Sequence, residues 1–158
     1  MTVTVLTISD RASRGINADR SGPAIEEVLR ARFPSAVLRR EIVPDEPEQI
    51  RAAFDRHPDA DFILTTGGTG IGPRDLTPET TAAWCDRLLP GIAEALRARS
   101  LAETPAAMLS RGTAGLKGRT VVVNFPGSVN AARLGVETLA PVMEHVLDML
   151  AGRPHAAG

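Results

Sequence analysis

"LTTGGTGIGPRDLTPE", residues 64–79, ends an apolar run in three glycines within four positions, Gly67, Gly68 and Gly70, and then supplies Arg74, Asp75 and a fresh helix start at Thr77-Pro78. Strand, glycine-rich turn and helix in direct succession form the repeating unit of an α/β domain with a parallel sheet. Working outward, three further apolar runs of strand length flank this one: "VTVLTI" at 3–8, "AVLRREIV" at 36–43 and "RTVVVNF" at 119–125, with "DFILTT" at 61–66 leading into the glycines. The first is apolar on both alternating faces, as a strand covered by helices on each side requires.

Between these runs the period changes to that of a helix. Ile25, Val28 and Leu29 share one face, as do Ile50, Ala53 and Phe54, and later Val142, Val146, Met149 and Leu150. Ser21, Asp45 and Thr77 stand where N-caps are expected, Asp45 with Glu48 has the spacing of a capping box, and Pro78, Pro90 and Pro105 each suit a first helical turn. Residues 88–118 are the least regular, with "GLKGR" read as a turn ahead of the strand at 119. The expectation is a three-layer α/β/α fold with a mainly parallel central sheet, one domain over 1–158, and a flexible tail over 152–158.

Composition removes several classes of function. The chain has 158 residues, of which 43% are hydrophobic and 23% charged, and its net charge is -1. That length suits one domain with a sizeable core, and the balanced charge gives no footprint for nucleic acid. No stretch has the apolar length of a membrane span, and "MTVTVLTISD" lacks the charged start and cleavage pattern of a secretory signal, so a cytoplasmic protein is expected. Cys85 stands alone and reads as a small packed residue, so one chain can form neither a disulfide framework nor a multi-cysteine zinc site. His57, His145 and His155 are scattered without ligand spacing. Neither Ser9 nor Ser13 has a histidine near it in sequence to activate it.

In an open parallel sheet, ligands gather outside the carboxyl ends of the strands. Four loops meet that edge: "SDRASRG" at 9–15, "PDEPE" at 44–48, the glycine loop, and "PGS" at 126–128. Glycines let backbone N–H groups approach an anion, and a helix beginning just afterwards adds its positive end. Asp75 would repel a bare phosphate, but it makes sense beside a divalent cation, and Asp45 reaches the same edge. Two carboxylates with phosphate-binding glycines read as a magnesium nucleotide site, where Arg74 and Arg111 offset charge. Taken singly, Asp45, Thr77 and Ser128 serve equally well as helix caps, and the glycines as a packing device. The motif G-x-x-x-x-G-K-[ST] is absent and Lys117 is the only lysine, so a phosphate-loop mechanism with lysine is excluded.

These residues carry a resemblance. "TTGGTGIGPRDLTPE", "LPG" at 89–91, "LSRG" at 109–112 and "NFPGS" at 124–128, preceded by "ISDRAS" at 8–13 and "VPDE" at 43–46, resemble the Mog/MoaB family of molybdenum cofactor biosynthesis, the molybdopterin adenylyltransferases. The likeness covers roughly residues 3–151. It implies transfer of AMP from magnesium-bound ATP to molybdopterin with release of pyrophosphate, in a trimer or hexamer, alongside other proteins of that pathway. By this resemblance Asp45 and Asp75 are the catalytic, magnesium-holding acids. Gly67, Gly68, Thr69 and Gly70 surround the phosphates, and Ser110, Arg111, Pro126, Gly127 and Ser128 surround the nucleotide. Ser9, Asp10, Arg11 and Ser13 border the pterin. Phe125 and Val129 depart from the family's pattern and imply a shifted loop. Two other readings stand beside the enzyme: a non-catalytic molybdopterin carrier, and a nucleotide pyrophosphatase, which would need a further domain.

Overall fold

The structure, a computed structural model, describes residues 1–153; His155 and most of the 152–158 tail lie outside them. Gly152 and Arg153 are described, and Arg153 pairs with Asp148 at 2.6 Å. Six strands, β1 (Thr2–Ile8), β2 (Val37–Val43), β3 (Phe62–Thr66), β4 (Arg87–Leu88), β5 (Ala114–Lys117) and β6 (Thr120–Phe125), form one sheet. Their order is β2-β1-β3-β6-β5-β4. The first four in that order run parallel, and β5 and β4 extend the sheet in antiparallel fashion. The strands at 2–8, 37–43, 62–66 and 120–125 match the four read from the sequence to within a residue at each end.

The helices divide between the two faces of the sheet. On one, α2 (Ser21–Arg32), α5 (Pro90–Leu101) and α6 (Val129–Leu150) enclose a core that includes Val3, Val5, Ile25, Leu29, Phe125 and Val136. On the other, α3 (Pro47–Asp55) and α4 (Thr77–Trp84) enclose Leu6, Ile8, Ile50, Phe54, Ile63 and Trp84. Each apolar side chain removed from water contributes about 1.5–3 kcal/mol, and β3 and β6 are buried along their whole length, with their polar residues Thr66, Thr120 and Asn124 hydrogen-bonded inside. A four-residue α1 (Asp10–Ser13) follows β1, and a 3-10 turn spans Pro105–Leu109.

Four expectations require correction. "GLKGR" is a turn only at its end: Gly115 to Lys117 belong to β5, and Gly118, with φ of +55°, turns the chain directly into β6, so the region is a hairpin. A strand of four residues is too short for alternation to reveal. Of the four apolar residues read on α6, Val146 and Leu150 pack against the core, but Val142 and Met149 face solvent, and the buried stripe runs through Ala132, Val136, Leu139, Ala140 and Met143. The capping box at Asp45 does not form, because Glu46 holds the N-cap position of α3 without a side-chain bond and the Asp45 carboxylate turns to Asp10. Ser21 and Thr77 lie inside the first turns of their helices. Arg20 holds the N-cap position of α2, and the carboxylate of Asp19 just before it accepts the Gly22 N–H at 3.0 Å. Ser128 does cap α6, accepting the Ala131 N–H at 3.3 Å.

Candidate active site at the carboxyl edge of the sheet

Because β2, β1, β3 and β6 are parallel, the four loops named from the sequence all leave the same edge of the sheet. Their meeting point is a close approach of two backbones. Gly67, with φ of +106°, donates its N–H to the Phe125 carbonyl at 3.1 Å, and a Cβ on it would stand 2.3 Å from the Ile8 carbonyl. Gly127 is packed so that a Cβ would lie 3.3 Å from the Gly67 Cα. Thr66 fastens the junction by donating its hydroxyl to the Pro126 carbonyl at 2.9 Å.

Two hollows open on either side of this junction. One, of about 460 Å³, has apolar walls from Ala93, Leu96, Ala107, Leu109 and Ala131, and a polar floor of glycine-loop backbone. Gly67, Gly68, Thr69, Gly70 and Asp75 line it, as do Ser110, Pro126, Gly127 and Ser128. The other, of about 590 Å³, is polar and is lined by Thr7, Ser9, Asn17, Asp19, Ser21 and Thr66 among others. Of the four residues assigned to the pterin side, only Ser9 reaches this polar hollow. Asp10 faces Asp45, and the Ser13 hydroxyl donates to the Asp10 carbonyl on the surface. Arg11 lies on exposed α1. Val129 opens α6 at the rim of the polar hollow, and Phe125 is fully buried against Gly135.

The carboxylates occupy contrasting settings. Asp10 N–H donates to Asp45 Oδ2 at 2.7 Å, and Asp45 N–H returns a bond to Asp10 Oδ1 at 3.1 Å, which locks the first and second loops together. Burial pushes the Asp45 carboxyl above its ordinary range, the Asp10 hydrogen bond pulls the other way, and the neighbouring charges of Asp10 and Asp75 add to the rise. Asp75 Oδ2 accepts the Gly72 N–H at 2.8 Å, a tight turn that holds the carboxylate beside Gly70. Above Gly68, whose φ is +62°, a Cβ would fall 2.3 Å from Thr77 Oγ1 and 3.2 Å from Asp45 Oδ1. Thr77 is fully buried and its hydroxyl has no hydrogen-bond partner.

The two arginines expected to face phosphate are engaged elsewhere. Arg74 binds Asp10 at 2.7 Å, Glu46 at 2.8 Å and the Asp45 carbonyl at 3.2 Å. Arg111 donates Nε to the Gly70 carbonyl at 2.6 Å and its two other nitrogens to the Asp75 carbonyl and Glu79, so it clamps the glycine loop from behind. Its backbone N–H adds a bond to the Thr69 carbonyl at 2.8 Å. Asn124 plays a comparable part below the loop, donating to Thr65 at 3.0 Å and Thr81 at 2.9 Å and accepting from Thr113 N–H. Nothing in the local pattern marked Arg97 on α5, whose Nη1 donates to the Gly112 carbonyl 15 residues away, and the role of Asn124 inside NFPGS shows only in its distant partners Thr65 and Thr81. Cys85 is half-buried and burial pushes its thiol up to about 11, which leaves it protonated and inert near neutral pH. His57 bonds Glu41 at 3.1 Å, away from the cleft. Among the described residues no three of His, Cys, Asp and Glu gather as a metal cluster, and no helix is long and apolar enough to cross a membrane.

A mainly parallel α/β domain with glycine-lined hollows and paired carboxylates at the carboxyl edge of its sheet is a nucleotide- or phosphoester-binding architecture. The chain belongs to the family described as "Probable molybdopterin binding domain", whose model matches residues 4–145. It is 39% identical over 152 residues to a molybdopterin adenylyltransferase of Helicobacter pylori, covering 94% of this chain and 86% of that protein. With the molybdopterin adenylyltransferase of Escherichia coli it shares 36% identity over 144 residues, covering 89% and 72%. The molybdopterin biosynthesis enzyme MoaB of Thermus thermophilus has the same fold, with a TM-score of 0.84, 45% identity, and coverage of 97% and 98%.

Proposed function

We propose that the protein is a molybdopterin adenylyltransferase, transferring AMP from ATP to molybdopterin with release of pyrophosphate. The observation that carries this reading is the Gly67–Gly127 junction. Two hollows of different chemistry abut there, as a reaction joining two dissimilar ligands requires. The apolar hollow, with its small and aliphatic walls, suits the adenosine. The polar hollow, ringed by hydroxyls and Asn17, suits the hydrogen-bonding edges of a pterin. An acceptor oxygen of molybdopterin attacks the α-phosphorus, the bond to the β-phosphate breaks, and pyrophosphate carries away the electron pair. In such a displacement the protein contributes mainly alignment and fixed dipoles.

Each part of the chain has a task in that scheme. The backbone N–H groups of Gly68, Thr69 and Gly70 would face the phosphates, those of Gly67 and Thr77 being spent on the Phe125 and Gly68 carbonyls. Arg111 and Asn124 keep the loop from relaxing. Ser128, by capping α6, fixes the PGS turn against Gly67. Magnesium suits the residues present: Asp45 Oδ1, Asp75 Oδ1 and the orphaned Thr77 hydroxyl are hard oxygen donors without protein partners. With so few protein ligands the ion would keep waters and phosphate oxygens in its shell, as magnesium usually does. When bound it would neutralise phosphate charge, and Asp45 and Asp75 would be the residues that hold it. The reading includes a cytoplasmic homo-oligomer, trimeric or hexameric, within the molybdenum cofactor pathway.

Titration calorimetry with magnesium-ATP and molybdopterin tests the division of ligands. Each should bind without the other, and Asn17→Ala should weaken molybdopterin alone. Mutual exclusion of the two ligands would rule out adjoining hollows.

A further inference from the structure

We propose that Arg97 is the anion-binding side chain of the apolar hollow, placed to take a phosphate of the bound ligand. Arg97 lies on α5, opposite the glycine loop, and with Asp75 it is one of two charged residues lining the hollow. Its Nη1 donates to the Gly112 carbonyl at 2.8 Å, and among the described residues it makes no other hydrogen bond or ion pair. One bond fixes the guanidinium within the wall. Four N–H groups remain unspent.

The contrast with the other two arginines of the site carries the inference. Arg74 and Arg111 each sit against carboxylates that offset their charge and are held to backbone carbonyls, whereas Arg97 has no carboxylate partner among the described residues. Arg97 is half-buried among Ala93, Leu96 and Ala107, where a charge without a counter-ion is unfavourable. A guanidinium stays protonated at any working pH, so an oxyanion that arrives with the ligand is the partner that relieves it. Phosphate is the chemistry the opposite wall already serves. It can come from the nucleotide or from the phosphate of molybdopterin. This inference rests on the adenylyltransferase reading for the identity of the ligand, and on the wall geometry alone for the anion.

Calorimetric titrations of the full chain, native and as Arg97→Gln and Arg97→Lys, with magnesium-ATP, molybdopterin, inorganic pyrophosphate and adenosine, test it. Loss of one charged hydrogen-bonded contact predicts affinity for a phosphate-bearing probe about 10- to 100-fold weaker in Arg97→Gln, with adenosine unchanged and partial recovery in Arg97→Lys. Weakening confined to ATP assigns the nucleotide as the source, and weakening confined to molybdopterin assigns the pterin phosphate. Equal weakening of adenosine, in a variant that melts like the native chain, would mean that Arg97 only shapes the wall and would overturn the inference. So would unchanged binding of all four probes. If the native chain binds pyrophosphate through Arg97 but neither ATP nor molybdopterin, the anion site stands and the enzyme reading falls.

Discussion

The apolar and the polar hollow share Gly67 and Gly127 but differ in how their walls are held. The apolar one borders elements that lock one another: Arg111 clamps the glycine loop, Asn124 ties three elements beneath it, and α5 closes the far side. The polar one depends on Asp19, which gathers Thr7, Ser21 and the start of α2 around a single carboxylate. The difference teaches where tolerance lies. A lesion at the junction should damage both hollows, a lesion in the glycine loop should cost turnover, and a lesion in the polar rim should change only one ligand's affinity.

The largest effect is expected at the junction. Gly67→Ala places a Cβ against the Ile8 carbonyl at a φ that side chains rarely adopt. It should cost about 1–3 kcal/mol from backbone strain alone and abolish turnover with both ligands. Urea unfolding and a pyrophosphate assay would check both parts, and an active, stable variant would show that the two backbones can separate. Next comes Asp75→Asn, which retains an acceptor for the Gly72 N–H. Turnover should fall about 100-fold or more while the melting temperature holds.

Arg111→Gln should be milder than Asp75→Asn. It leaves the phosphate donors in place but releases residues 70–76, so their amide hydrogen exchange should quicken and kcat should drop about tenfold with KM little changed. On the polar side, Asn17→Ala should raise KM for molybdopterin about 5- to 10-fold and leave KM for ATP alone. Equal effects on the two substrates would dissolve the distinction between the hollows.

The smallest effect concerns pH. Burial raises the Asp45 carboxyl in the folded chain, so the folded state holds that proton more tightly than the unfolded state. The resulting stability is present below the unfolded value and is lost as pH rises through the folded one. At neutral pH Asp45→Asn, which keeps the bond from Asp10 N–H, should therefore melt slightly higher than the native chain when magnesium is absent. Magnesium should reverse that order, which a pair of melting curves would reveal.

Much of this was legible in the sequence because it is local. Apolar runs and β-branched content mark β1, β3 and β6, and Pro78, Pro90 and Pro105 mark first turns. The four loops followed from the parallel arrangement. What escaped is long-range. The β5–β6 hairpin is brief, and its pairing is visible only once β6 is placed. Asp45 has the spacing of a cap, yet Asp10, 35 residues away, offers its carboxylate a buried N–H instead. Arg74 and Arg111 sit beside the glycines and the LSRG motif, but carboxylates and carbonyls distant in sequence offset their charge and hold them in place. Arg97 gave no local signal, being one of two arginines on a helix whose inner face only the fold defines.

The most direct test of the central claim is pyrophosphate release from magnesium-ATP, with and without freshly prepared molybdopterin, by the native chain and Asp75→Asn side by side. The adenylyltransferase reading predicts release that requires molybdopterin and is lost in the variant. Tight binding of molybdopterin with no release by the native chain would contradict it and leave a carrier in its place.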